Sequence, residues 1–386
     1  MATGAATDRN RRADSTPDLS PRLLTAALQL AAPGCEVRSA VATEVGAGRG
    51  FVGTTLRLAL DYEPGPSGPS TIIAKLPPVN PLPDEDLAAL IRSLGATEVA
   101  FYQHMAHRAG VRVPACWYVT AEPEAVLLME DLGHLHAASQ LDGLTAAQAH
   151  TAVDHLARLH ARWWAQAELR TADWVRQPEA DAALWARRFA EGWPDLEARL
   201  GRHGLPASFA AVGHRLGPRL ASLVLACAEP GWTLIHGDFR AENLFFGATG
   251  TPEELCVIDW QLAGRGGGAR DLGYLLAHSL PVAVRRAEER ALLDRYRAGL
   301  QAGGVNYPAA RLWDDYRRAV LVSMWLPAHF LGLTRRLIAS GAGATLSEQA
   351  RAAVLRDTRA AIRLVTAAAE RNIAAIEDTG AAELLA

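Results

Sequence analysis

Apolar side chains alternate with period two in the first third of this 386-residue chain, whereas helical periodicity dominates the rest. Residues 54–62 place their leucines on one face, as a half-buried strand does. From Thr145 onward apolar residues recur at helical spacing, interrupted by a short strand-like stretch at 232–259. Strands followed by helices predict an α+β fold, with a small antiparallel-sheet N-lobe and a larger, mainly helical C-lobe.

Local signals predict the limits of these parts. Residues 1–18 are small and polar, which is typical of a disordered tail, and the N-lobe is predicted to cover 19–132 and the C-lobe 133–386. The predicted N-lobe elements are helices at 20–32 and 84–108 and strands at 36–45, 54–62, 71–76, 117–120 and 125–129. The predicted C-lobe elements are helices at 145–164, from 271 and at 347–376, and strands at 232–235, 244–246 and 255–259.

Composition excludes several classes of function. The 39 basic and 42 acidic residues leave a net charge of −3, so the large basic surface that nucleic-acid binding needs is missing. No apolar run approaches the about 18–20 residues of a membrane span, and the first twenty residues lack the apolar stretch of a secretory signal. The four cysteines are far apart and form no CxxC pair, which favours reduced thiols over a zinc module. We therefore expect a cytoplasmic protein without a nucleic-acid or membrane partner.

One lysine, Lys75, stands among 38 arginines. It lies in the β-branched segment 71–76, which is an unfavourable place for an idle cation. A compact ammonium is not interchangeable with a wide planar guanidinium where a point charge is needed. We therefore interpret Lys75 as a working residue rather than a chance survivor of the bias toward arginine. Glu98, 23 residues later on a predicted helix, is its candidate partner, and a solvated helix glutamate is the alternative.

A glycine-rich loop joins the first two predicted strands. Gly48, Gly50 and Gly53 form a GxGxxG pattern, which is a weak signal by itself in a chain with 33 glycines. A dinucleotide-binding fold requires a helix after such a loop, but the segment that follows alternates as a strand. No GxxxxGK[ST] segment is present, which excludes a P-loop NTPase. A glycine-rich loop between antiparallel strands is instead the arrangement that covers nucleotide phosphates in kinases.

The strongest signal is HGDFRAEN at residues 236–243, followed sixteen residues after its asparagine by Asp259. An aspartate at Asp238 can accept the proton of an attacking hydroxyl, and Asn243 can reach a Mg²⁺ ion. Asp259 ends a predicted strand and can bridge the metal and the nucleotide phosphates. Three such groups on a loop–strand–strand unit predict a phosphoryl-transfer site, and a polar loop with a chance aspartate is the alternative.

These motifs resemble the aminoglycoside phosphotransferase superfamily, kinase-like enzymes that phosphorylate small molecules. HGDxxxxN at 236–243, IDWQ at 258–261 and DLGYLL at 271–276 carry the resemblance. Within the superfamily, the last two motifs and the glycine loop are most similar to the ecdysteroid-kinase and choline-kinase-like branch. The resemblance implies a bilobal protein-kinase-like fold that uses ATP and Mg²⁺ to phosphorylate a small hydroxylated molecule.

The resemblance also implies roles for individual residues. Asp238 resembles the catalytic base, and Asn243 and Asp259 resemble the metal ligands. Lys75 and Glu98 resemble the ion pair that anchors the nucleotide phosphates.

The run LLMEDL at 127–132 resembles the hinge between the lobes. In such a hinge the backbone near Glu130 and Leu132 would hold the adenine. The glycine loop would then cover the phosphates from the N-lobe side.

The segment after Asp259 argues against a protein substrate. Only eleven residues separate Asp259 from Asp271, which leaves no room for an activation loop and an APE segment. Asp271 precedes an apolar helix, so we interpret it as an N-cap or as a brace for the catalytic loop. His236 is likewise interpreted as a loop brace, and His160 as a core helix histidine.

The charge of residues 272–386 restricts which phosphate acceptor the protein can take. Residues 272–386 contain 15 arginines against 11 acidic residues, whereas a polycationic aminoglycoside calls for a strongly acidic cleft. Four aromatic residues there could line a pocket for an apolar or amphipathic alcohol, although core packing explains them equally well. An antibiotic-inactivating kinase and a nucleotide-binding pseudokinase without turnover remain the alternatives to a metabolite kinase.

Overall fold

The computed structural model describes residues 19–45, 54–77, 85–121, 125–202, 204, 207–229, 231–339 and 348–386. The described strands are β1 Val37–Glu44, β2 Thr54–Tyr62, β3 Thr71–Leu76, β4 Cys116–Thr120, β5 Val126–Glu130, β6 His136–Ala137, β7 Trp232–Ile235, β8 Leu244–Phe246, β9 Leu255–Val257 and β10 Gly264–Gly267. The described helices are α1 Pro21–Leu28, α2 Glu85–His104, α3 Ala146–Trp163, α4 Glu168–Thr171, α5 Pro178–Gly201, α6 Ala207–Ala228, α7 Ala269–Ser279, α8 Val282–Ala302, α9 Ala309–Val322, α10 Trp325–Ala339 and α11 Glu348–Thr379. The predicted tail 1–18 and the predicted glycine loop around Gly48, Gly50 and Gly53 lie outside the described residues.

The first five strands form one antiparallel sheet in the order β1-β2-β3-β5-β4. Successive side chains on β5 point to opposite faces, so Leu128 joins the apolar cluster under α1 while Leu127 joins the core under α2. Lys75 sits on the central strand β3 and is opposite Thr55 on β2 and Leu127 on β5. Since cross-strand partners share a face, Lys75 points toward α2.

Helix α2 connects the sheet to the helical part of the chain. Its Val99 and Phe101 are buried in the same continuous core as residues of α3, α5 and α7. The Phe101 ring stacks on Trp260, with centroids 4.0 Å apart and an interplanar angle of 4°. Because Trp260 directly follows Asp259, this contact seats α2 against the segment that carries the predicted metal ligand.

Two small sheets support the predicted catalytic loop. β7 pairs antiparallel with β10, and β8 lies between β6 and β9. The loop 236–243 leaves the end of β7 and leads directly into β8. The two ends of the loop are therefore held by the backbone hydrogen bonds of two different sheets, which limits its freedom to move.

Helices α5 and α10 pack at very close range. A Cβ added at Gly192 would lie 1.9 Å from the carbonyl oxygen of Ala328, so only glycine permits this approach. On the same two helices the Trp185 and Trp325 rings stack with centroids 4.4 Å apart. None of the helices in the described part of the chain combines the length and the apolar run that a bilayer crossing requires.

Most predicted elements are present, with local corrections at their ends. The predicted caps are confirmed: the Ser20 hydroxyl accepts a bond from Leu23, and Thr145 forms a capping box with Gln148. The helix predicted over 84–108 is wrong at its end, because α2 stops at His104 and a separate 3₁₀ turn follows. The helix predicted over 20–32 ends at Leu28, and the strand predicted over 255–259 ends at Val257. The strand β10 was not predicted, because its GRGG sequence carries no apolar alternation.

Candidate active site

The loop after β7 holds Asp238 in a fixed orientation. Its Oδ2 accepts hydrogen bonds from Asn243 Nδ2 at 3.0 Å and from Arg240 Nε at 3.2 Å. Its Oδ1 is buried and has no hydrogen-bond partner, although the residue is 8% exposed. A buried carboxylate oxygen without a partner is costly unless a ligand completes it. Oδ1 is therefore the oxygen of Asp238 without a hydrogen bond, and burial together with the Asp238 charge raises the pKa of the neighbouring Tyr274 hydroxyl well above its usual value.

Asp271 on α7 holds this loop in place through two hydrogen bonds. Its carboxylate accepts the backbone N–H of His236 at 2.6 Å and that of Gly237 at 2.9 Å. Burial alone would raise the pKa of Asp271, but a hydrogen bond from His160 and the nearby His236 and Arg270 hold that pKa below its usual value. Of the two interpretations of Asp271, the structure supports the brace, because α7 already begins at Ala269.

Only glycine fits at position 237 of this loop. The φ of Gly237 is +83°, and an added Cβ would lie 2.4 Å from the Leu262 carbonyl oxygen. The contacts also agree with the interpretations of His236 as a loop brace and of His160 as a core helix histidine. His236 Nε2 lies 2.9 Å from the Ile258 carbonyl oxygen, and His160 is fully buried beside Tyr296.

Lys75, Glu98 and Asp259 meet although they are far apart in the chain. Lys75 Nζ lies 2.6 Å from Glu98 Oε1 and 3.2 Å from Asp259 Oδ1. Burial by itself would lower the pKa of Lys75, but the two carboxylates outweigh it and raise that pKa above its ordinary value. The lysine therefore stays charged, and it links the sheet, α2 and the end of β9.

The backbone of Asp259 is unusual for a non-glycine residue. Its φ of 70° and ψ of 61° lie in the left-handed region, which costs of order 1 kcal/mol. Gln261 Nε2 lies 2.8 Å from each carboxylate oxygen. Burial opposes ionisation of Asp259, but Lys75 and Gln261 lower the pKa of this carboxyl group below its usual value. The turn ends β9 and directs an ionised carboxylate back toward Lys75.

Asn243 and Asp259 are suited to a hard cation. The Asn243 side-chain nitrogen donates to Asp238, which leaves the amide oxygen as the group available for a metal. The Asn243 carbonyl also accepts the Ile258 N–H at 3.0 Å, so the two segments run side by side. No three His, Cys, Asp or Glu side chains converge as a metal site among the described residues. An amide oxygen and one carboxylate are nevertheless the kind of donor set that Mg²⁺ uses when phosphates and water complete its shell.

The predicted hinge is tied down by ion pairs that the sequence did not reveal. Glu130 Oε1 lies 2.6 Å from Arg112 Nη2, and the Glu130 N–H donates to the Ala115 carbonyl at 2.8 Å. Asp131 accepts two bonds from Arg57, at 2.6 and 2.9 Å. These pairs hold the chain between β5 and the helical part, beside the buried Leu132.

Four contacting residues were missed at the sequence level: Arg240, Gln261, Arg112 and Arg57. Arg240 lies within the HGDFRAEN motif, two residues after Asp238, so the motif itself contained the signal. Gln261 follows Asp259 by two residues, but its contact depends on the left-handed turn. Arg112 is one of 38 arginines, and no local pattern distinguishes it.

Comparison with solved structures identifies the fold. A choline kinase from Cryptosporidium parvum Iowa II superposes with a TM-score of 0.53 at 9% identity, covering 94% of this chain and 98% of that chain. The GDP and kanamycin complex of APH(2")-IIia superposes with a TM-score of 0.50 at 14% identity, covering 88% and 99%. A microcompartment-associated aminopropanol kinase gives 0.47 at 15% identity, covering 94% and 100%. At these identities the first two matches establish the kinase-like fold, which confirms the predicted α+β architecture.

The sequence places the chain within a protein family. The model of the phosphotransferase enzyme family, APH, matches residues 74–313, which is more than half of the chain. This protein belongs to that family, and the expected superfamily is thereby confirmed. No protein with a curated description matches the chain. The proposed ecdysteroid-kinase-like branch stays a prediction, as does the lobe boundary at 132.

Proposed function

We propose that this protein transfers the γ-phosphoryl group of ATP to a hydroxyl group of a small molecule. The observation that carries the proposal is the convergence of Lys75, Glu98 and Asp259, which come from three separate elements. Family membership independently supports a phosphotransferase. A buried ion-pair cluster of this kind is expensive to desolvate, so its presence favours a functional role.

Nucleotide binding is assigned to the sheet and the hinge. Lys75 would contact the phosphate oxygens while Glu98 keeps its ammonium in place. The backbone near Glu130 and Leu132 would accept the adenine. The glycine loop around 48–53 would cover the phosphates, as the sequence predicts.

Asn243 and Asp259 would hold Mg²⁺. The ion, when bound, neutralises charge on the phosphate oxygens. Lys75 and Gln261 keep the Asp259 carboxylate ionised and oriented for that ligation.

Asp238 would act as the base toward the acceptor. Its Oδ1 takes the proton of the acceptor hydroxyl as that oxygen forms a bond to the γ-phosphorus. The bond between the γ-phosphorus and the bridging oxygen then breaks, and ADP leaves with the electron pair. Arg240 and Asn243 hold Oδ2, so Oδ1 is the oxygen that remains free for the proton.

The acceptor is proposed to be a metabolite rather than a polycationic antibiotic. The helical region that would face it, 272–386, has more arginine than acid. A polycation would meet a net repulsive field there.

The proposal is tested first by calorimetric titration with Mg²⁺·ATP and then by acceptor-dependent ADP release across a panel of hydroxylated metabolites and aminoglycosides. We expect nucleotide binding and a stimulation of ADP release that Asp238→Asn removes. A folded protein that does not bind Mg²⁺·ATP would overturn the proposal. Binding without turnover on any acceptor, and with unchanged behaviour of Asp238→Asn, would favour the pseudokinase alternative.

A further inference from the structure

A cavity of about 250 Å³ lies on the seam between the sheet part and the helical part of the chain. Three segments line it: the loop after α2, helix α3 and the turn that precedes β9. None of the residues assigned above to nucleotide, metal or proton transfer is among its lining residues. The cavity is therefore separate from the candidate active site.

Two nitrogen atoms at this cavity are buried without a hydrogen-bond partner. They are Arg112 Nη1 and His155 Nε2, and both residues line the cavity. His155 is only 7% exposed, so bulk solvent does not satisfy its ring. Arg112 Nη1 can only donate, whereas His155 Nε2 donates or accepts according to its tautomer; buried groups of both kinds nearly always have a partner in native proteins, whether protein, water or ligand. Their convergence on one cavity points to a missing partner.

Among the residues that line the cavity, two arginines, Arg112 and Arg158, stand against one glutamate. Arg158 lines the wall next to His155 on α3. Within the described residues its guanidinium donates one hydrogen bond, from Nε to the Asp154 backbone carbonyl at 3.4 Å. The other terminal nitrogen of Arg112, Nη2, lies 2.6 Å from Glu130 Oε1 and 3.6 Å from Glu253 Oε1. Glu254 is the one acidic residue among the lining residues, and its Oε2 lies 3.6 Å from His155 Nε2, beyond a normal hydrogen bond.

We propose that this cavity binds the oxyanion group of a small metabolite, a phosphate or a carboxylate, between Arg112, His155 and Arg158. Arginine is suited to such groups because its planar fork donates two parallel hydrogen bonds. A cavity of about 250 Å³ admits a small metabolite but not a nucleotide with its full triphosphate.

The position of the cavity gives the ligand access to the catalytic elements. Arg112 pairs with Glu130 in the predicted hinge, and its carbonyl accepts the N–H of Val257, two residues before Asp259. An oxyanion that engages Arg112 would compete with Glu130 for the guanidinium. The ligand would therefore change the affinity of the enzyme for nucleotide, and nucleotide would change the affinity for the ligand by the same factor.

The test is calorimetric titration of the full chain with inorganic phosphate and, separately, with malonate, against sodium chloride of equal ionic strength. Arg158→Ala is expected to weaken binding about five-fold or more, since it removes a charged donor at the rim. Glu254→Gln is expected to tighten binding about three-fold, because it removes the one carboxylate that lines the cavity. Arg215→Ala, an exposed arginine on α6, is the matched control and should leave binding unchanged.

Lys75→Gln separates this site from the nucleotide site, where phosphate could also bind. Loss of phosphate binding in Lys75→Gln but not in Arg158→Ala would overturn the proposal and assign the phosphate to the active site. Tighter binding in Arg158→Ala, or weaker binding in Glu254→Gln, would also overturn it, since either result indicates a cation site. Equal weakening in Arg158→Ala and Arg215→Ala would show nonspecific attraction only. No step of this experiment measures turnover, so its outcome is independent of the proposed kinase activity.

Discussion

At the scale of single residues, Lys75 has the most demanding geometry. Its ammonium touches carboxylates from two other elements, at 2.6 and 3.2 Å. A guanidinium is wider and planar, so it cannot occupy the same point between Glu98, Asp259 and the phosphates. We expect Lys75→Arg to keep the fold and to lose about 10²-fold in kcat, the cost of a displacement of about 1 Å.

The matched control for this change is Arg38→Lys, an exposed position on β1 of the same sheet. Circular dichroism melts should be alike for both variants and the parent chain. Parent-level turnover in Lys75→Arg would show that the single lysine has no special role.

Substitutions of Asp238 and Asp259 are expected to have different effects, one on kcat and the other on Mg²⁺·ATP affinity. Asp238→Asn should leave Mg²⁺·ATP affinity nearly unchanged and lower kcat by about 10²–10⁴-fold, because the free oxygen that takes the proton is lost. Asp259→Asn should weaken Mg²⁺·ATP binding more than about ten-fold, because a carboxylate ligand to a hard cation is neutralised. Titrations with ATP, with and without Mg²⁺, measure the difference. The reverse pattern would mean that the two carboxylates are assigned the wrong way round.

At the scale of elements, helix α7 positions the loop 236–243 through Asp271. Asp271→Asn removes a charged acceptor from two backbone N–H groups, and we expect a loss of about 2–4 kcal/mol in the free energy of unfolding at pH 7. The pKa of Asp271 is lowered in the folded protein, so its contribution is complete above the unfolded value of about 3.9 and is lost as the pH falls through the folded pKa. Urea titrations at several pH values should therefore show that the difference in the free energy of unfolding between the parent chain and Asp271→Asn disappears below about pH 4.

Asp173→Asn is the control for that experiment, because Asp173 is exposed in a loop. It should cost little at any pH. A gap for Asp271→Asn that stays constant down to acid pH would contradict ionisation of this carboxyl group as the source of stability.

The close packing of α5 on α10 depends on two glycines that face each other, Gly192 on α5 and Gly332 on α10. Gly192→Ala would place Cβ 1.9 Å from a backbone oxygen, so the helices must separate, and we expect about 3 kcal/mol or more of destabilisation. Gly201→Ala lies at the end of the same helix, with nothing within 4 Å of an added Cβ. It should be neutral or more stable by up to about 1 kcal/mol, since alanine favours helix. Equal melting temperatures for the two variants would refute the close approach.

At the scale of the whole molecule, one core joins both parts of the chain. The cluster that contains Phe101 and Met129 of the N-terminal part also contains Trp260 and residues of most C-terminal helices. We therefore expect a single unfolding transition by calorimetry, with a midpoint that rises with Mg²⁺·ATP concentration because ligand binds only the folded state. Two separate transitions, one of them insensitive to nucleotide, would show that the sheet part unfolds alone.

Much of this architecture follows from local sequence. Alternation over 54–62 predicts β2, because period two has only one way to bury an apolar face, and the β-branched residues of 71–76 predict β3. The caps at Ser20 and Thr145 are local interactions within four residues, so they too are readable from sequence. The chemistry of the HGDFRAEN segment is likewise local: Asp238 and Asn243 lie on one loop, and their hydrogen bond spans five residues.

What only the tertiary structure decided are the contacts between distant segments. Asp259 reaches Lys75 across 184 residues, and this needs both the sheet that turns Lys75 toward α2 and the left-handed turn at Asp259. The partners of Arg112 were not readable from sequence, since an arginine carries the same local signal whether it is solvated or buried in an ion pair. Local propensity acts over a few residues, whereas a buried charge is placed by the packing of the entire core. For that reason the sequence alone determined most of the elements and the HGDFRAEN motif, and the fold decided which charges meet.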